Sequence, residues 1–117
     1  MNLAKIGVVA ALIALSGCAP SDGVDDASND EFLNREALCI AFSERFRLYE
    51  AAEKHWDHAN TMLHVLAVAG RPDETLFRER LGTARILAVS QSKEQAADYL
   101  VAMCNEKMTR AQFDEAP

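Results

Sequence analysis

The sequence predicts an all-α protein, either a long antiparallel helical hairpin or a small three- to four-helix bundle. Three observations carry this reading. Cys39, Phe42, Phe46, Tyr49, Ala52, Trp56, Ala59, Leu63 and Leu66 recur at steps of three and four. That spacing marks one face of an α-helix and not the alternation of a strand. Between Gly23 and Pro117 the only helix breakers are Gly70, Pro72 and Gly82. Half of the 117 residues are apolar and 26% are charged, a composition that suits a folded domain better than a disordered chain. The formal charge of −6 argues against a nucleic-acid partner, whose phosphates need Lys and Arg.

Nothing punctuates residues 31–69, so they read as one helix, about 58 Å long at 1.5 Å per residue. Gly70-Arg71-Pro72-Asp73 is a stop and restart. Gly70 suits the position just past a helix end, and Asp73 can N-cap the next helix. The second helical stretch carries Phe77, Leu81, Ala84 and Ala88, then Ala97, Leu100 or Val101, Cys104 and Met108. Its phase slips at Ser90-Gln91-Ser92, and Ser92-Lys93-Glu94-Gln95 fits a capping box that starts a new helix at Lys93. The helical domain is expected to span 32–110, with residues 111–117 frayed.

The N-terminal segment reads as an address. Met1 to Lys5 carry one positive charge, and Ile6 to Leu15 form an apolar run too short to span a bilayer. Leu15-Ser16-Gly17-Cys18 follows. Over residues 1–18 the chain resembles the bacterial lipoprotein family, whose lipobox is Leu, two small residues, then Cys. The resemblance implies that residues 1–17 are a signal peptide. It also implies a diacylglyceryl thioether on Cys18 and an acylated new N-terminus. Position 19 is Ala, not the Asp that favours inner-membrane retention in related enteric lipoproteins. Attachment to the outer membrane, facing the periplasm, is therefore expected. Residues 18–31 then form a lipidated tether, in which positions 19–31 hold five acids and no base.

With Cys18 consumed by lipid, Cys39 and Cys104 remain in an oxidising compartment, where pairing is the default. Their midpoint falls in the Gly70–Pro72 turn, so an antiparallel hairpin turning there brings them together. The same register sets Glu36 by Lys107, Arg45 by Asp98, Glu50 by Lys93, Trp56 by Leu87 and Phe42 by Val101. A long first helix against two shorter collinear ones satisfies this. So does a four-helix up-down arrangement broken near Asp57–Thr61. A bundle of three equal helices does not, because it parts the cysteines.

Two constellations could carry chemistry. His55, His58 and Met62 lie on one helix face beside the core stripe, where imidazole and thioether could hold copper or zinc. The bland alternative is a pair of partly exposed histidines flanking a core. Arg71, Arg78 and Arg85, spaced by seven, with Arg80 nearby, read as a salt-bridged solvent face because acids surround them. Catalysis is not expected. The chain has no nucleophile elbow, His-Glu-x-x-His, Cys-x-x-Cys or Gly-rich phosphate loop, and a hairpin offers no concave pocket. No cofactor is expected either.

A hairpin seam also leaves Leu48, Met62, Val65, Ile86, Val89 and Tyr99 unused. They need cover from a fold-back into four helices or from a second chain. The expected function is therefore a non-catalytic, lipid-anchored helical module that binds another envelope protein or a second copy of itself. A periplasmic metal-binding lipoprotein is the alternative.

Overall fold

A computed structural model describes residues 26–117. The signal segment, the lipobox with Cys18 and most of the tether lie outside the described residues. Five helices follow one another: α1 Asp26–Arg45, α2 Tyr49–Val68, α3 Glu74–Ser90, α4 Lys93–Met103 and α5 Arg110–Glu115. No strand occurs among the described residues. The small helical bundle is the form the chain takes, and the long hairpin is not.

The difference arises at Phe46-Arg47-Leu48. No Gly or Pro marks this point, yet Arg47 adopts a left-handed φ of 60°. The Leu48 amide donates to the Ser43 carbonyl at 2.8 Å and the Arg47 amide to the Glu44 carbonyl at 3.0 Å. This is the Schellman closure of a helix end, with Arg47 where glycine usually sits. The first helix therefore ends near residue 45, and the chain doubles back some ten residues before the Asp57–Thr61 break considered from sequence.

Helix α1 becomes the hub. From Glu36 to Ser43 all residues except the half-buried Leu38 are buried, so this helix has no solvent face in its C-terminal half. Helices α2, α3 and α4 each pack against it. Arg80 meets Asp30 and Arg85 meets Glu44, so α3 runs parallel to α1. Phe42 meets Tyr99 edge-on at 4.9 Å and Cys39 bonds to Cys104, so α4 runs antiparallel.

The expected disulfide is present, with the Cys39 and Cys104 Cα atoms 5.7 Å apart and the two cysteines 65 positions apart in sequence. A loop of that size contributes about 2–4 kcal/mol of stability. The rest of the hairpin register is corrected. Phe42 packs on Tyr99 while Val101 is exposed, and Trp56 packs on Phe77 while Leu87 stays 39% exposed. Arg45 donates to the carbonyls of Ala88 and Gln91 and so caps the end of α3, where Asp98 was expected. Lys93 reaches the carbonyls of Phe113, Asp114 and Ala116 instead of Glu50. Breaking the first helix at Arg47 removes the single axis on which that register depended.

Two terminal expectations also change. Helix α1 begins at Asp26, inside the stretch read as tether. Asn29 is buried, and Arg80 bonds the Asp30 carbonyl at 3.3 Å. At the C-terminus, where fraying was expected, Thr109 and Gln112 form a capping box that starts α5. Phe113 stacks on Phe46 at 6.1 Å, and Ala116 is buried. Asp73 precedes α3 but makes no side-chain cap; its carboxylate faces Arg71. The capping box of Ser92 and Gln95 forms as expected.

Candidate functional site

The most concentrated chemistry lies where α1, α2 and the end of α4 meet. Glu36 sits in the middle of α1 and is 3% exposed. A buried carboxylate needs charged or hydrogen-bonding partners, and α2 supplies two. His55 Nδ1 lies 2.7 Å from Glu36 Oε1, and His58 Nδ1 lies 3.4 Å from the same oxygen. The two histidines are one turn apart on α2, with ring centroids 5.6 Å apart and planes at 87°. His55 is itself buried, whereas His58 has 49% of its side chain exposed.

The other nitrogen of His55 is also engaged. Nε2 lies 2.8 Å from Glu106 Oε2, and the same oxygen takes an ion pair from Lys54. Glu106 reaches this place because Asn105, at a left-handed φ of 57°, turns the chain after α4. Burial alone would push the Glu106 carboxyl up. The hydrogen bonds and charges of Lys54 and His55 outweigh burial and hold it below the ordinary carboxylate range. An open cleft of about 630 Å³ lies alongside, lined by Arg47, Tyr49, Lys54, Glu106 and Lys107 among others. The concavity that a plain hairpin would lack is thus present.

The structure brings His55 and His58 together as the sequence suggested, but not with Met62. Met62 packs against the hydrophobic core, and the third group of the cluster is Glu36. The picture of two partly exposed histidines holds for His58 and fails for His55. The sequence contained no signal for Glu36, because its approach depends on the unmarked reversal at Arg47.

The arginines are paired, as expected for a solvated face. Arg71 meets Asp73, Arg78 meets Glu74, and Arg80 meets Asp30. Arg85 grips Glu44 through two bonds of 2.9 and 2.8 Å, and the hydrogen bond raises its already high pKa.

Of the six apolar residues left over by the hairpin, Leu48 is buried, and Met62 and Tyr99 pack against the core. Burial raises the Tyr99 phenol pKa, with Arg35 opposing and Glu36 reinforcing the shift. Val65, Ile86 and Val89 stay exposed, the last two at 70% each. Ile86 and Val89 share one face of α3 with Gly82. A Cβ added to Gly82 would meet no atom within 4 Å.

No family model, curated protein or solved structure matches the chain.

Proposed function

We propose that the chain is a non-catalytic, lipid-anchored helical module of the cell envelope that docks a helix of a second chain. The anchor rests on the lipobox ending at Cys18 and the composition behind it. The docking rests on one observation, the outer face of α3. Ile86 and Val89 stand 70% exposed beside Gly82, in a helix interior where Ala would be about 1 kcal/mol more favourable. Nothing inside the domain requires the missing side chain, since the space above Gly82 is open. A helix crossing α3 at close range would require it, and the two β-branched neighbours would supply the apolar contact. The second chain is another copy of this one or another envelope protein.

Photocrosslinking from position 86 in the native host tests the docking. A discrete adduct that disappears in a Val89→Asp background supports it. No adduct, or adducts equally abundant from the exposed position 78, overturns it. On the purified chain, Ile86→Asp should weaken association with little loss of helicity, whereas Trp56→Asp should lower helicity. Metabolic labelling with a fatty acid tests the anchor: Cys18→Ser should abolish incorporation, and undiminished label overturns that part.

A further inference from the structure

We infer that Glu36, His55 and His58 form a site for a divalent transition metal of the zinc class. The inference is independent of the docking face on α3. One donor atom from each residue lies within 4.8 Å of the others. Donors that share a zinc ion at about 2.0–2.1 Å stand about 3.3 Å apart at tetrahedral angles. The observed separations from Glu36 Oε1, 2.7 Å to His55 and 3.4 Å to His58, bracket that value. Small side-chain rotations would admit the ion.

The outer contacts support the same reading. A metal-bound histidine donates its second ring N–H to a carboxylate, which fixes the tautomer and orients the ring. His55 has this arrangement: Nε2 faces Glu106 at 2.8 Å, and Lys54 holds Glu106 in turn. In the neutral tautomer whose Nε2–H donates to Glu106, the Nδ1 lone pair points at the Glu36 carboxylate. Two negative ends cannot face each other at 2.7 Å unless a proton or a metal cation lies between them. The proton alternative is an imidazolium bridging two carboxylates, with His58 a longer second contact of Glu36 at 3.4 Å. The metal alternative uses His58 as the third ligand and leaves a fourth position open to solvent.

The donor set also selects the metal. Two imidazoles and a carboxylate suit Zn²⁺, whereas a soft copper(I) site would need the Met62 thioether that packs into the core instead.

The test is a Zn²⁺ titration of the detergent-solubilised full-length chain against a chromophoric chelator, with Co²⁺ as a spectroscopic reporter. One equivalent should bind with a dissociation constant below about 10 μM. Co²⁺ should show the visible bands of a four-coordinate nitrogen–oxygen site. His58→Ala, at a half-exposed position that the fold tolerates, and Glu36→Gln should each weaken binding at least about tenfold. Met62→Leu should leave binding unchanged. Glu106→Gln should keep the one-to-one stoichiometry and weaken affinity by about 10- to 100-fold. Binding weaker than about 10 μM by a folded chain, or tight binding unaffected by His58→Ala, assigns the cluster to a proton bridge and overturns the proposal.

Discussion

The chain reverses twice through the same hydrogen-bond pattern, once at Gly70 and once at Arg47. At Gly70 the φ is 86°, and the Arg71 amide donates to the Leu66 carbonyl at 2.7 Å. At Arg47 the φ is 60°, and the equivalent bond runs from Leu48 to Ser43 at 2.8 Å. The local geometry is alike, but its causes differ. Gly70 takes the left-handed conformation without a steric penalty and sits in open space. Arg47 takes it against a cost of about 1–2 kcal/mol. What offsets that cost is on either side, where Phe46 is 1% exposed and Leu48 is 8% exposed. Burying two such side chains is worth about 1.5–3 kcal/mol each. One reversal is specified by its own residue and the other by the packing of its neighbours.

That contrast predicts graded outcomes. The largest effect should come from removing the packing at the second reversal. Phe46→Ala deletes a buried ring stacked on Phe113 and should cost about 3–5 kcal/mol in urea unfolding, loosening α5 as well. Gly70→Ala places a Cβ where only the backbone conformation objects, so a loss of about 1–2 kcal/mol is expected, with no change in core packing. Arg47→Gly is the converse. Relief of the left-handed strain, less the added chain entropy, should raise stability by about 0.5–1 kcal/mol. A loss on Arg47→Gly would show that the exposed side chain itself holds the turn.

The third left-handed residue, Asn105, extends the comparison to the site, because it places Glu106 on His55. The folded-state pKa of Glu106 is depressed, so its contribution is present above the ordinary carboxylate range. It is lost as the pH falls through the folded value. With chelator present, the urea midpoint should therefore fall on acidification from about pH 5 downward. The fall should be smaller in Glu106→Gln, and this is the smallest of the four effects.

The same contrast explains what the sequence disclosed. The Gly70 reversal, the capping box at Ser92 and the Cys39–Cys104 bridge were legible because each has a residue type tied to a mechanism. The break at Arg47 has none, so the periodic stripe ran straight through it. Past the break the stripe resumes through the buried Ala52, Ala59, Leu63 and Leu66, but Tyr49 falls outside the core at 65% exposure and His55 enters it beside the partly buried Trp56. Hydropathy alone gives no reason to bury a histidine there. His55 is buried because two carboxylates from α1 and the turn after α4 meet it there. The packed C-terminus was missed for a different reason, since Thr109-Arg110-Ala111-Gln112 carries the same capping pattern as Ser92 to Gln95. A helix of six residues is too short to display a helical period of apolar positions.

The bridge at Cys39 has a mechanical consequence. If a lipid on Cys18 holds the chain to a membrane, a pull between that anchor and the C-terminus enters at the start of α1 and runs along the hub helix. Such tension can extend the chain only as far as residue 39, where the covalent link to Cys104 diverts the load. The 65-residue span closed by that link is sheltered from stretching. Helix α3 with its exposed outer face lies wholly within that span, as do His55 and His58. A pull that reaches the C-terminus would therefore bypass α3 and leave its outer face unstretched.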